Sequence, residues 1–436
     1  MTPESWKSGN RVRLLENGEE YYPRVFEAIG EARTELFVET FILFDDPVGR
    51  QLQQALIAAA RRGVRVDLTV DGYGSYDLSP EFVRAMTEAG VRVHVFDPRR
   101  RLMGIRTNIF RRMHRKIVVV DGRIAFVGGI NFSFDHLRDH GAEAKQDYAM
   151  EVEGPLVDDI RALTERAVAP PERWWRRRRP PPAASSRADA GKAAARFVAR
   201  DNELRRDEIE RCYREAIRGA RREIVIANAY FFPGYRLLRD LIDAARRGVD
   251  VRLILQGKPD IPWVRWIAQA LYDYLLRGGV RIYEYCERPL HAKVATIDDD
   301  WSTVGSSNLD PLSLALNLEA NVLVHDREFN KVLRARMEQM MRQHCKVLGP
   351  EDAPRRTLWR QVLTFVAFHV TRRFPKWAGF LPGHRSQALP VVVPHSANDP
   401  VGAIVPKPGP EQPAATTSDR ADAQRPAVRN SRASAR

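Results

Sequence analysis

The two halves of this 436-residue chain repeat one another. Residues 32–70 and residues 220–255 both read as strand, turn, amphipathic helix and strand, and both contain the hexapeptide AARRGV. In the first copy Asp46 stands where a helix cap is expected, Pro47 at the first helical position and Gly63 at the helix end. The apolar runs beside each helix are typical of buried strands in an α/β sheet. The repeat therefore predicts two similar α/β units in one chain.

A shorter pattern recurs at the same place in each unit, with the spacing H-x-K-x4-D followed by G-[GS]-x-N. Its members are His114, Lys116, Asp121 and Asn131 in the first copy and His291, Lys293, Asp298 and Asn308 in the second. Coincidence does not account for two such matches at equivalent positions of a duplicated unit. The pattern therefore indicates a shared chemical role.

The spacing itself has a chemical reason. Side chains two residues apart on a strand point to the same face, so His114 projects with Lys116, and His291 with Lys293. If the two strands meet across a pseudo-twofold axis, two imidazoles and two ammonium groups share one site. One neutral imidazole can then attack phosphorus while the other, protonated, donates to the departing oxygen. The lysines and asparagines would stabilise the charge on the non-bridging oxygens, so no metal or other cofactor is expected.

Four acidic residues accompany the histidines, and the sequence suggests two different roles for them. A nucleophilic histidine needs its other ring nitrogen held by an acceptor. Asp147 and Glu319 are the candidates, since each begins an alternating strand downstream of one motif. Asp121 and Asp298 belong to the motifs, but each lies at a step from strand to turn, in VVVDGR and ATIDDD. For these two we favour a role in organising the turn.

These residues resemble the phospholipase D superfamily, whose members carry two H-x-K-x4-D motifs, each followed by G-[GS]-x-N. The longer context, roughly residues 10–345, is similar to bacterial cardiolipin synthases, closest to those of the B type. The resemblance implies an α/β fold of two sandwich domains related by pseudo-twofold symmetry, with one shared active site. It also implies that the six residues of the two H-x-K-x4-D motifs are catalytic and that Asn131 and Asn308 bind phosphate. One histidine would form a covalent phosphohistidine, and family habit favours His114; the other would act as acid and then as base.

The implied reaction moves a phosphatidyl group from one phosphatidylglycerol to a hydroxyl of another and releases glycerol. The alternatives are a phospholipase D, in which water resolves the intermediate, and a phosphodiester-cleaving nuclease of the same superfamily. The formal net charge of +14 suits any polyanionic partner. Because nucleases of this type often carry a single motif per chain, phosphatidylglycerol and an anionic membrane surface are the expected partners, and nucleic acid is not. The oligomeric state stays open.

The sequence predicts a peripheral protein on the cytoplasmic face of the bacterial cell membrane. Its N-terminal residues, MTPESWKSGN, contain no apolar core of a signal peptide. No apolar run approaches the roughly 18–20 residues of a spanning helix. Cys212, Cys286 and Cys345 lie far apart without metal-type spacing, which favours reduced thiols.

Composition predicts five parts of the chain. They are a first phospholipase D-like domain at 1–170, a basic linker rich in proline and alanine at 171–200, a second domain at 201–350, an amphipathic, membrane-associated segment at 351–382 and a disordered tail at 383–436. Three basic or tryptophan-containing stretches are either contacts with a bilayer or ordinary connecting segments: 99–116, 172–186 and 258–267.

Overall fold

The structure is a computed structural model. It describes residues 6–97, 111–169, 189–201, 205–257, 271–349 and 388–390, together with Val366 and Arg373. All of these belong to one unit of the chain, Met1–Ile404, and the other unit, Val405–Arg436, lies outside the described residues. Several predicted segments also lie outside the described residues. They are most of the linker, the whole of the stretches 172–186 and 258–267, most of the stretch 99–116, most of the segment 351–382 and nearly all of the tail. The division into five parts stays a prediction.

Sixteen strands of the described residues form one mixed sheet. The first half contributes β1 (Lys7–Glu16), β2 (Glu35–Thr40), β3 (Arg65–Asp71), β4 (Arg92–Phe96), β5 (Ile117–Val120), β6 (Ile124–Gly128) and β7 (Tyr148–Glu153). The rest of the chain contributes β8 (Ala193–Arg200), β9 (Glu223–Asn228), β10 (Asp250–Gln256), β11 (Arg281–Tyr285), β12 (Lys293–Ile297), β13 (Trp301–Gly305), β14 (Glu319–His325), β15 (Cys345–Leu348) and β16 (Ala388–Pro390). Their order is β15-β11-β10-β9-β12-β13-β14-β8-β1-β7-β6-β5-β2-β3-β4-β16. Equivalent strands follow one another outward from the β8–β1 junction on both sides, which confirms the two similar α/β units.

Helices cover both faces of this sheet. They are α1 (Asn17–Glu31), α2 (Pro47–Arg61), α3 (Pro80–Glu88), α4 (Val157–Ala167), α5 (Glu208–Gly219), α6 (Tyr235–Arg246), α7 (Pro311–Ala315) and α8 (Arg327–His344). The predicted ends of α2 are confirmed, because Asp46 accepts the N–H of Gly49 at 2.8 Å and Gly63, just past the helix, has a φ of +88° that glycine adopts without strain. Among the described helices, none combines the length and the apolar character that crossing a bilayer requires.

The apolar core consists of three clusters. One is enclosed by α1, α2 and α3 in the first half, and another by α5 and α6 in the second half. The third contains strand residues of both halves, such as Val119 and Val294, and is covered by α4 and α8. Burial of each such side chain stabilises the fold by roughly 1.5–3 kcal/mol. Because the third cluster draws on both halves, it fixes how the two repeats face each other.

Four backbone hydrogen bonds, two around each motif histidine, join the halves at the edge of the sheet that carries the motifs. The N–H of His114 donates to the carbonyl of Leu318 at 2.9 Å, and the N–H of His291 donates to the carbonyl of Gln146 at 2.8 Å. β5 runs antiparallel to β2, and β12 antiparallel to β9. The motif histidines, which precede β5 and β12, therefore lie at the carboxyl ends of the parallel strands, where α/β sheets place their ligands.

The three cysteines carry free thiols, as predicted. Burial raises the pKa of Cys212 to about 11 and that of Cys345 to about 12. Both thiols are therefore protonated and poorly nucleophilic at neutral pH.

Candidate active site

Each motif histidine contacts a buried carboxylate of the other repeat. Nδ1 of His114 lies 3.1 Å from Oε2 of Glu319, and Nδ1 of His291 lies 2.6 Å from Oδ2 of Asp147. The carboxylates are fully buried, whereas the two imidazoles keep 12 % and 16 % of their side-chain surface exposed. Because each carboxylate holds the Nδ1 proton, Nε2 of each ring is left to meet a substrate. We call these two pairs the dyads.

The crossed pairing follows from the way the halves are joined. Sequence order alone pairs each carboxylate with the motif upstream of it, but the structure exchanges the partners. Leu318, which accepts the backbone N–H of His114, immediately precedes Glu319. Gln146, which accepts the backbone N–H of His291, immediately precedes the other carboxylate of the dyads. The same bridges that join the repeats therefore bring each carboxylate to the opposite histidine.

The second residue of the G-[GS] pair in each motif accommodates the dyad carboxylate beside it. Any Cβ at Gly129 would collide with the carboxylate of Asp147, so only glycine fits there without displacing it. In the second copy the corresponding residue is Ser306, whose hydroxyl donates to Oε2 of Glu319 at 2.6 Å. Gly129 therefore leaves room for its carboxylate, whereas Ser306 holds its carboxylate with a hydrogen bond.

Lys116 and Lys293 bring two buried ammonium groups into the same site. Their side chains are 2 % and 0 % exposed. Each donates to the backbone carbonyl of the histidine two residues before it, at 2.7 Å for Lys116. Each ammonium also interacts electrostatically with the carboxylates of both dyads. Burial lowers the pKa of both ammonium groups, and that of Lys116 falls well below its ordinary value. The two motifs therefore share one site, in which imidazole atoms are accessible and the buried lysines lie close to the dyads.

Burial sets the protonation states of the dyads. It lowers the pKa of His114, and, with the nearby ammonium groups, it lowers the pKa of His291 well below the ordinary value. Burial would raise the pKa of Glu319, but the interaction with His114 and other neighbours lowers it overall. In Asp147 burial prevails and raises the pKa. Both imidazoles are therefore neutral in the resting site at pH 7.

The two motif asparagines lie in the loops that follow β6 and β13. The side-chain oxygen of Asn131 accepts the N–H of Ile42 at 3.1 Å, and its backbone carbonyl accepts the Tyr22 hydroxyl at 2.8 Å. Asn308 is only 6 % exposed, and its side-chain oxygen has no hydrogen-bond partner among the described residues. Asn131 thus fastens its loop to the strand ends beside the site, and phosphate binding by both residues stays a prediction.

Asp121 and Asp298 lie apart from the dyads, at turns where they can have the organising role favoured from the sequence; a catalytic role for them stays a prediction. Each follows the far end of its motif strand, β5 or β12, with a positive φ of about 50°. The carboxylate of Asp121 accepts the N–H groups of Arg33, Thr34 and Glu35 at 2.8 to 3.0 Å. Asp298 does the same for the corresponding residues 221–223 of the second repeat. These carboxylates therefore tie the motif strand to the start of β2 or β9.

We expect Asp121→Ala or Asp298→Ala to lower stability rather than to stop catalysis. Each change removes a charged acceptor of three backbone N–H groups and places alanine at a positive φ. The expected cost is about 2–3 kcal/mol of unfolding free energy. Thermal unfolding and kcat, measured well below the melting temperature, separate the two effects. A kcat that collapses while the protein remains folded would instead make these aspartates part of the chemistry.

Comparison with known proteins identifies one family. The family model described as "Cardiolipin synthase, PLD-like domain" matches residues 25–162 and again residues 213–341. The chain belongs to this family. It is 51 % identical over 425 residues to cardiolipin synthase B of Escherichia coli, and the alignment covers 98 % of this chain and 99 % of the relative. It is also 34 % identical over 354 residues to cardiolipin synthase A of Pseudomonas aeruginosa, with 81 % of this chain and 71 % of the relative covered.

Solved structures agree on the fold of the family. A phosphatidylserine synthase from Haemophilus influenzae superposes with a TM-score of 0.62 at 13 % identity, covering 85 % of this chain and 95 % of its own. A polyphosphate kinase from Porphyromonas gingivalis reaches a TM-score of 0.53 at 15 % identity, covering 83 % of this chain and 53 % of its own. At such identities the likeness concerns the fold alone.

Two residues beside the dyads were not predicted from the sequence. His136 is fully buried, with its ring centroid 5.6 Å from that of His291 and its Nε2 accepting the N–H of Asn131 at 3.3 Å. Burial lowers its pKa to about 4, so it is neutral. Lys145 pairs with Asp135 and contributes to the lowered pKa of His291. Neither belongs to a repeated motif, so a comparison of the two copies could not reveal them.

His136, Asp147 and His291 have potential ligand atoms within 4.8 Å of one another, the one such group among the described residues. Two features oppose a cation at this position. The Nε2 atom of His136 already accepts a backbone N–H, so its other nitrogen carries the proton. Ammonium groups also act on all three side chains. The expectation that the site needs no metal stays a prediction.

We expect kcat/KM to fall as the pH rises above about 8. Burial lowers the pKa of Lys293 to about 8, so the ammonium is charged below this pH and loses its proton above it. Loss of that charge removes stabilisation of the phosphoryl oxygens in the transition state. A pH–rate profile measures the alkaline limb, and Lys293→Arg should move it upward because guanidinium stays charged. An alkaline limb that is unchanged in Lys293→Arg would contradict this assignment.

Proposed function

We propose that this protein is a cardiolipin synthase that transfers a phosphatidyl group between two phosphatidylglycerol molecules and releases glycerol. The observation that carries the proposal is the pair of crossed dyads, each beside a buried lysine, in a chain 51 % identical to a cardiolipin synthase B over nearly its full length. Two accessible imidazoles that face one site suit a reaction with two proton transfers and a covalent intermediate.

In the first step, Nε2 of one motif histidine attacks the phosphorus of the donor lipid. An N–P bond forms while the P–O bond to the headgroup glycerol breaks. The other imidazole, neutral in the empty site and protonated once the phosphate anion of the donor lipid is bound, gives its proton to the glycerol oxygen. Lys116 and Lys293 offset the negative charge that builds on the non-bridging oxygens. Each carboxylate stabilises the positive charge on its own histidine.

In the second step, the imidazole that gave up its proton acts as a base. It takes the proton from a hydroxyl of the second phosphatidylglycerol, whose oxygen bonds to phosphorus as the N–P bond breaks. The products are cardiolipin and the free enzyme. Transfer outcompetes hydrolysis only if the lipid acceptor, and not water, occupies the position next to the phosphohistidine.

Lipid substrates support a peripheral location at a membrane, and we infer the cytoplasmic face of the cell membrane. The net charge of +14 favours anionic lipid as the contacted surface.

Purified protein with detergent-dispersed phosphatidylglycerol in H₂¹⁸O tests the proposal. Lipid mass spectrometry should detect cardiolipin without ¹⁸O, together with an equal amount of glycerol. Phosphatidic acid that carries ¹⁸O, in the absence of cardiolipin, would make the protein a hydrolase instead. If no lipid product forms while a nucleic acid is cleaved, the superfamily nuclease is the correct alternative.

A further inference from the structure

Large apolar side chains are exposed around the candidate active site. In all parts of the described chain together, the exposed large apolar side chains are Trp6, Tyr73, Tyr76, Tyr235, Leu312, Val332, Val347 and Val366. Four of them follow strand ends at the edge that carries the motif histidines. Tyr73 and Tyr76 follow β3, Tyr235 begins the helix after β9, and Leu312 lies on α7 after β13. We call these four residues the site rim.

In the first repeat the rim is attached directly to the motif. The carboxylate of Asp71, at the end of β3, accepts the N–H of Tyr73 and the N–H of Met113, both at 2.9 Å. The guanidinium of Arg112 lies 4.2 Å from the centre of the Tyr73 ring. Tyr73 is therefore held against the two residues that precede His114, and it carries a cation on its face.

In the second repeat the rim is attached to the same segment. Leu312 lies on α7, which the carboxylate of Asp310 caps. Asn317 follows this helix, and its side-chain oxygen accepts the N–H of Arg112 at 3.1 Å. The N–H of Phe232 donates to the carbonyl of Leu309 at 2.8 Å, which fastens the loop before Tyr235 to the loop before α7. The rim thus comes from both repeats, and its segments are attached to the residues before His114 and to one another.

A lipid bilayer is the partner that this arrangement fits. A phosphatidylglycerol molecule stays in the bilayer, because exposure of each CH₂ of its acyl chains to water is unfavourable, so the histidines must approach phosphate at the headgroup level. Tyrosine is enriched at this level of membranes, where its ring meets the acyl region and its hydroxyl meets water. The net charge of +14 complements anionic headgroups.

We propose that the site rim of Tyr73, Tyr76, Tyr235 and Leu312 is the surface by which the protein docks on an anionic bilayer. The rim would lie in the headgroup layer, so that the dyads open toward phosphate and the acceptor lipid, and water is kept from the phosphohistidine. This inference rests on the proposed function, because it derives the orientation of the rim from lipid substrates.

The double variant Tyr76→Ser/Leu312→Ser tests the inference, and Val332→Ser/Val347→Ser is its matched control. The rim residues are 42 % and 43 % exposed and the control residues 49 % and 56 %, so the two variants remove similar apolar surface from different faces. Sedimentation with vesicles of phosphatidylglycerol and phosphatidylcholine measures docking. We expect the dissociation constant to rise about tenfold for the rim variant and to stay near wild type for the control.

Activity provides a second measure that is independent of folding. The ratio of the transfer rate on vesicles to that on monomeric short-chain phosphatidylglycerol should fall about tenfold in the rim variant. Equal vesicle binding by rim variant and wild type, or an equal loss in the control, would overturn the docking surface. Equal binding of the wild type to pure phosphatidylcholine would overturn its preference for anionic lipid. If the wild type makes no cardiolipin, the proposed function fails, but sedimentation still decides the docking surface.

Discussion

Asparagine in place of either motif histidine is expected to abolish cardiolipin formation, with kcat reduced at least about 10⁴-fold for each single variant. Without the nucleophilic imidazole no phosphohistidine can form. Without the other imidazole, glycerol would have to leave as an alkoxide, and the acceptor hydroxyl would keep its proton. Because the two groups act in the same step, His114→Asn/His291→Asn together should be little worse than either alone. Lipid mass spectrometry of the purified variants measures the loss.

A second substrate distinguishes the roles of the two histidines. A phosphodiester with a nitrophenolate leaving group needs no acid, so the variant that lacks only the acid should still form a phosphoenzyme, and the variant that lacks the nucleophile should not. Family habit favours His114 as the nucleophile. The control is His325→Asn, since His325 also pairs with a carboxylate, Asp300 at 3.1 Å, but lies exposed on the surface. Substantial cardiolipin formation by either motif variant would exclude the two-histidine mechanism.

Much of this site could be predicted from the sequence because local geometry determines it. The alternation of side chains along an extended chain predicts that His114 projects with Lys116, and His291 with Lys293, although both histidines lie just before their strands, β5 and β12. The strand-to-turn position of Asp121 and Asp298 likewise indicated their role, which the hydrogen bonds to the neighbouring turn support. Each of these predictions needs only a few consecutive residues and one rule of backbone geometry.

The crossed dyads could not be predicted in the same way, because they depend on how two distant units dock. Asp147 and Glu319 were recognised as candidates, but their partners are set by the bridges at Gln146 and Leu318 and by the core shared between the halves. The sequence gives no indication of His136, for a related reason. It lies in a segment between Asn131 and β7 where the two repeats differ, so the duplication gives no signal there.

The crossed arrangement makes a prediction of its own: Asp147→Asn, a change in the first repeat, should impair the histidine of the second. Loss of the carboxylate leaves the Nδ1 proton of His291 without its charged acceptor, and kcat is expected to fall about 10²- to 10⁴-fold. The alkaline limb should also move below pH 8, because Asp147 helps to keep the buried ammonium of Lys293 protonated, and the pKa of that ammonium is already lowered to about 8.

Nitrogen-15 NMR of labelled histidine reports which imidazole loses its partner. In Asp147→Asn, the Nδ1 signal of His291 should change while that of His114 is retained, and Glu319→Gln should show the opposite pattern. Glu319 also accepts the hydroxyl of Ser306, so that its carboxylate has a second donor at 2.6 Å besides the imidazole. Ser306→Ala should therefore weaken catalysis less than Glu319→Gln, since the imidazole bond remains. A change at His114 in Asp147→Asn would mean that each repeat pairs with itself, and the shared site described above would be wrong.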